Sequence, residues 1–121
     1  MTRPIIKRIR AEAYELWLKA LRSGKFTQGY GELRNGRGGV TRHCCLGVLC
    51  ELIAEDGGPQ FDSYGLFMGD EAELTPPVLK FMGLSDTQEQ SLIRRNDECQ
   101  PFKQIADHIE HSIMPKALRR P

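Results

Sequence analysis

No stretch of this chain approaches the ~18 consecutive apolar residues that a membrane-spanning helix needs. The opening "MTRPIIKRIR" is charged where a secretory signal would be apolar. The expectation is a cytoplasmic domain with no membrane partner. Net charge is nearly absent too: 17 Lys and Arg against 16 Asp and Glu leave +1, so the chain as a whole exerts no pull on nucleic acid or membrane. Internal repeats and low-complexity segments are missing, which excludes solenoids and biased disordered tracts. Reaction signatures are missing as well. No Gly-Lys-Ser/Thr marks a Walker A loop, and Gly-x-Ser-x-Gly, His-Glu-x-x-His and the deaminase pattern do not occur. Carboxylates are plentiful but fall in no recognised acid–base spacing. No cofactor is implied, and the chain leans away from being an enzyme.

What is present is an ordinary globular composition, 40% hydrophobic and 27% charged over 121 residues, enough for one core. The expectation is a single domain over 1–121 with flexible basic ends at 1–4 and 115–121. Between the ends the charges are sorted, and "AEDGGPQFDSYGLFMGDEAEL" is acidic throughout. Ile6, Ile9, Ala13, Leu16, Trp17, Ala20 and Leu21 recur at helical spacing, predicting a helix over about 5–22 that Gly24 stops. A strand over Lys25–Leu33, a type I′ turn at Asn35-Gly36 and a second strand over Val40–Cys45 form a glycine-rich antiparallel hairpin. It leads into a buried helix carrying Leu46, Leu49, Cys50 and Ile53 on one stripe and ending at Gly57-Gly58. A second hairpin is expected over Phe61–Thr75, turning at Gly69-Asp70. Pro76-Pro77 opens a short helix that Gly83 stops. Ser85 with Gln88 reads as a capping box, and Phe102, Ile105, Ala106, Ile109 and Ile113 line the last helix, which Pro115 ends. The fold class is α+β.

The run "QGYGELRNGRGGVTRHCCLGVLCEL", Gln28–Leu52, concentrates six glycines, three arginines and three of the four cysteines. Zinc would need Cys-x₂₋₄-Cys pairs that aim both sulfurs at one point. Adjacent Cys44 and Cys45 point to opposite faces of a strand, and His108 with His111 supply only two further ligands, so no metal is expected. A nucleophile at Cys45, activated by Arg42 and the following helix N-terminus, or a base at His43, is the enzymatic alternative. Free thiols packing as small hydrophobes is the plainer reading of all four cysteines. The glycine and arginine end of the run offers backbone N–H groups and the cations Lys25, Arg34, Arg37 and Arg42, with His43, to an anion. The bland alternative is a hairpin tip that is glycine-rich for its turn and charged for solubility.

A second polar segment, "RRNDECQPF", precedes the last helix. Its plain reading is a turn at Asn96-Asp97, with Gln100 as an imperfect cap. Its functional reading gives Arg94 and Arg95 to phosphates, Asn96 and Asp97 to a base edge or ribose, and Phe102 to stacking. Should the fold bring this segment beside the hairpin, Lys25, Gln28, Tyr30, Arg34, Arg37, Arg42, His43, Arg94, Arg95, Asn96, Asp97 and Phe102 would form one nucleotide pocket.

The segments "ALRSGKFTQGYGELR", "CCLGVLCEL", "LTPPVLKFMGL" and "NDE..PFKQIADHIE", with Trp17, resemble as a set a group of small bacteriophage and prophage proteins. There a Trp-containing helix, a Leu-Arg-Ser-Gly-Lys segment, a Cys-Cys-Leu-Gly-Val-Leu-Cys segment and a late Asn-Asp before Phe-x-x-Ile-Ala-Asp recur. Here these map to Trp17, Leu21–Lys25, Cys44–Cys50, Asn96-Asp97 and Phe102–Asp107. The likeness covers most of the chain apart from the basic ends and the acidic middle. It implies a phage origin and the cytoplasm of an infected cell, but no reaction. Phage proteins of this size are often counter-defence factors, some sequestering nucleotide immune signals and others binding a host or CRISPR protein. The expected function is therefore capture of an anionic, nucleotide-like ligand by a homo-oligomer. The alternatives are a protein–protein inhibitor of a host defence protein, and a small enzyme using Cys45 or His43.

Overall fold

The computed structural model describes residues 9–119. Of the ends expected to be flexible, 1–4 and 120–121 lie outside the described residues, while Lys116–Leu118 forms a 3-10 turn with Leu118 packed on the core. The domain is α+β: the described residues form five α-helices and one short antiparallel hairpin.

Helix α1, Arg10–Ser23, stops at Gly24, whose φ is +78°. Its buried face is Ala13, Tyr14, Trp17, Leu18 and Leu21. The expected stripe is therefore turned, for Ile9 is 65% exposed and Leu16 and Ala20 are half-buried. The aromatic tips explain this rotation. Tyr14 Oη donates to the Met82 carbonyl at 2.7 Å and Trp17 Nε1 to the Cys45 carbonyl at 2.9 Å. Once both polar ends find acceptors, both rings bury completely.

The hairpin is shorter than its pattern predicts. Strand β1 is Arg34–Asn35 and β2 is Arg42–His43, with Arg34 opposite His43 and Asn35 opposite Arg42. Lys25–Leu33 is not a strand; it touches β2 through one parallel bridge, Gln28 to His43. Asn35-Gly36 is not the turn either, because Gly36 has φ −118°. The chain reverses in a 3-10 turn, Arg37–Gly39, where Gly38 and Gly39 supply the positive φ. Three glycines in four residues offered several turns, and the longer loop won.

Helix α2, Cys45–Glu55, is buried on every side from Cys45 to Cys50, so the predicted stripe is one part of a wholly buried first half. It contacts α1, β2 and α4, Asp86–Asp97. Gly47 allows this packing. A Cβ there would sit 1.7 Å from the Leu33 carbonyl oxygen, so only glycine lets the hairpin backbone lie on the helix.

The segment 61–75 holds no regular strand. Isolated bridges join Phe67 to Phe61 and to Asp70. The tight turn is at Met68-Gly69, one residue earlier than expected. Both residues have positive φ, and Phe67 and Asp70 exchange backbone hydrogen bonds at 2.9 and 3.0 Å, as a type I′ turn requires. Helix α3, Pro76–Met82, begins on its prolines and ends at Gly83. Ser85 and Gln88 form the expected capping box of α4. Helix α5, Phe102–His108, continues into a π-helical turn, Ile109–Ile113. Helix α1 lies against α2, α3 and α5, and α4 against α2 and α5.

Four backbone segments line up side by side over the core. Glu71 accepts from the Leu33 N–H at 2.8 Å, Leu33 accepts from Cys44, and His43 bonds to Thr27 and Gly29. Beyond Gly29 comes α4, through Asn96. One edge of this layer is the acidic loop, and the other is the α4–α5 turn.

Candidate functional site

The α4–α5 turn is built differently from its sequence reading. Asn96 and Asp97 form the last turn of α4, not a loop. The reversal comes at Cys99, whose φ is +66°. Gln100 N–H donates to the Arg95 carbonyl and Cys99 N–H to that of Asn96, both at 3.0 Å. This is a Schellman end with cysteine where glycine is usual, followed by Pro101. The missing glycine hid it.

The structure brings the glycine-rich segment and this turn together. Asn96 Oδ1 accepts from the Cys45 N–H and from Gln28 Nε2, both at 3.1 Å, and Asn96 Nδ2 donates to the Gly29 carbonyl at 2.8 Å. Gln28 Nε2 also reaches the Gln100 carbonyl at 2.8 Å. Asp97 Oδ1 accepts from the Gly31 N–H at 3.0 Å. Asn96 is fully buried and its amide is spent on the protein, so it caps α2 from outside the helix and is not free to read a ligand edge. Phe102 is a core residue rather than a stacking platform.

The expected cations divide into two sets. Lys25 lies 4.0 Å from Glu55, Arg34 3.6 Å from Glu51, and Arg37 2.5 Å from Glu32. Arg34 also lies over the Phe61 ring. Among the described residues, Arg42, Arg94 and Arg95 pair with no carboxylate. Arg94 is exposed and turned about 100° from Arg95 around α4, so the two do not act together. Arg95 Nη1 reaches Gln100 Oε1 at 3.3 Å, while its Nε–H is buried without an acceptor. For His108, burial first and then the Arg95 charge lower the imidazole below its usual pKa. At the other end, burial raises the Tyr30 hydroxyl, as does the neighbouring Cys99 thiol, while Arg42 lowers it. Arg42, Tyr30, Cys99, Gln100, Arg95 and His108 thus form one polar strip across the turn. Cys99 and His108 join it only through the fold; nothing in their spacing marks them for this role.

His43 lies on the far side of β2. It is buried between Phe26 and Phe61, and its Nε2 is 2.8 Å from Glu51 Oε2. Nδ1 has no partner. Burial drives the Cys45 and Cys50 thiols well above their usual pKa and the Cys44 thiol to about 11, so all three stay protonated and unreactive near neutrality. Cys44 N-caps α2 through its sulfur, 3.4 Å from the Gly47 N–H. Cys99 is the exception to the packing role expected of all four, being exposed. No cluster of three or more His, Cys, Asp or Glu side chains suited to a metal occurs among the described residues. A cavity of about 530 Å³ lies between α1 and the π-helical turn, where Arg22 bonds Asp107 and Glu110 at 2.7 Å each. Glu12, Glu15 and Glu110 on its wall suit an anion poorly, and none of the expected site residues lines it.

No helix among the described residues is long and apolar enough to cross a membrane. No curated protein and no solved structure matches the chain. One family profile does, over residues 9–78, from the start of α1 into α3. That span is more than half of the chain, and the protein therefore belongs to the family described as Domain of unknown function (DUF8296).

Proposed function

We propose that the protein is a non-enzymatic binding module that captures an anionic, nucleotide-like ligand on the strip across the α4–α5 turn. The observation that carries this reading is Arg95: a half-buried guanidinium with no carboxylate partner and an Nε–H without an acceptor. A phosphate supplies both the charge and the acceptor. Tyr30, 47% exposed beside the unpaired Arg42, offers a ring for a base to stack on. The hydrogen bonds among Gln28, Asn96, Gly31 and Asp97 fix the two walls in advance, which lowers the ordering cost of binding. In the proposed homo-oligomer, the exposed Tyr30 would be accessible to a second copy of the chain. The phage resemblance makes sequestration of a nucleotide immune signal the biological reading.

Burial of Cys44, Cys45 and Cys50 favours capture over a reaction that uses Cys45. The test incubates the protein with cyclic and linear nucleotides at about 1 mM, an ordinary ceiling for weak specific binding. A rise in melting temperature with at least one member, and recovery of that ligand intact after heat denaturation, is expected. Loss of Arg95 should weaken binding roughly 10- to 150-fold, the value of a hydrogen bond to a charged group. Because an anion between Arg95 and His108 favours the imidazolium, affinity should rise as pH falls through the usual histidine range. Recovery of product, or no shift with any member, would overturn the reading.

A further inference from the structure

At the opposite edge of the four-segment layer the chain changes character. Between His43 and Lys80 there are seven carboxylates and no Lys, Arg or His. Within this span two large apolar side chains face solvent: Tyr64, 87% exposed, and Met68, 37% exposed. Neither is demanded by the core, which Phe67 between them already supplies. Both are held in place. The Tyr64 loop is closed by Asp62, which accepts from the Tyr64 and Leu66 N–H groups, and Met68 occupies the left-handed position of the type I′ turn.

We infer that the loop over 61–73 is a protein-docking surface for a basic partner, with Tyr64 and Met68 as its anchors. The backbone that carries the anchors is fixed before binding, so docking forfeits little backbone freedom. An exposed tyrosine supplies contact area with few rotatable bonds, and a methionine adapts to irregular surfaces. Asp62, Glu71 and Glu73 flank the anchors and are exposed, while the cation against the loop, Arg34 over Phe61, is paired with Glu51. That selects a partner carrying Lys or Arg next to apolar groups and repels an acidic one. The strip at the other edge stays free, so both surfaces can be occupied at once.

The test uses three 12-residue peptides: alternating Lys–Leu, alternating Glu–Leu and alternating Lys–Ser. Each is titrated into isotopically labelled full-length protein while amide resonances are followed. The Lys–Leu peptide is expected to move residues 62–73, to bind at least ten-fold tighter than either control, and to weaken with added salt. The double variant Tyr64→Ser, Met68→Ser should lose that binding by at least ten-fold with an unchanged melting temperature, and Arg42→Ala should keep it. Equal binding of the Glu–Leu peptide, shifts centred elsewhere, or full binding by the double variant would overturn the proposal. So would a dimer in light scattering that Tyr64→Ser dissolves, since the surface would then serve a second copy.

Discussion

Asn96 is the residue whose loss should cost the fold most for its size. In Asn96→Leu the branching and number of heavy atoms are kept, but the Cys45 N–H and the Gly29 carbonyl are left buried without partners. Each such group costs ~1–3 kcal/mol, so the pair costs roughly 2–6 kcal/mol. A domain of this size holds only about 5–15 kcal/mol in total. At roughly 3–5 °C per kcal/mol, the melting temperature should fall by about 6–30 °C. Gln28 keeps its second acceptor, the Gln100 carbonyl, and adds little to the loss. Asn96→Asp separates the contributions. It keeps an acceptor for Cys45 but faces the Gly29 carbonyl with a carboxylate oxygen, so it should be destabilised at pH 7 and recover as acid protonates it. Urea denaturation followed by circular dichroism at pH 7 and pH 4.5 reads both effects. A cost below about 1 kcal/mol for Asn96→Leu would refute this reasoning, since that is less than one orphaned buried group.

Gly47→Ala should destabilise by several kcal/mol, although alanine is the better helix former by about 1 kcal/mol, because its Cβ meets the Leu33 backbone at 1.7 Å. A variant as stable as the parent in thermal melts would disprove that packing. Cys99→Gly should stabilise by about 0.5–1 kcal/mol by relieving the left-handed backbone; a lower melting temperature would count against the Schellman assignment. Glu89 is 2% exposed and accepts from the Leu74 N–H at 2.7 Å. Burial, its largest influence, raises its carboxyl above the usual 4.5. The stability linked to its proton is therefore complete below pH 4.5 and lost as pH rises through the raised value. Glu89→Gln, which keeps the acceptor without the charge, should match or exceed the parent in urea melts at pH 7, with the gap closing below pH 4.5. A Gln variant weaker at pH 7 would reverse the sign.

The helices were legible because their signals are local. Gly24 and Gly83 stop α1 and α3 with positive φ, and Ser85 with Gln88 caps α4 as written. The hairpin was legible in topology but not in length, since its strands pair for two residues each and the remaining bonds go to Thr27, Gly29 and Glu71. Periodicity cannot report such non-local partners. It also missed Tyr14, whose burial depends on the distant Met82 carbonyl. At the candidate site, the meeting of the Gln28–Gly31 segment with Asn96 and Asp97 was anticipated as a possibility. Its physical meaning was not, because an asparagine that caps a helix 51 residues away looks in sequence like one in a turn. Arg94 and Arg95 read as a pair, and only the helix separating their directions shows that they are not.

The most direct measurement follows the Arg95 Nε–H resonance by proton–nitrogen correlation while the nucleotides of the panel are added at about 1 mM, within reach of weak specific binding. Capture on the strip should move that resonance downfield and slow its exchange with water for the same nucleotide that raises the melting temperature. An Arg95 Nε–H that no nucleotide moves, while the protein is otherwise perturbed or unperturbed, would contradict the site.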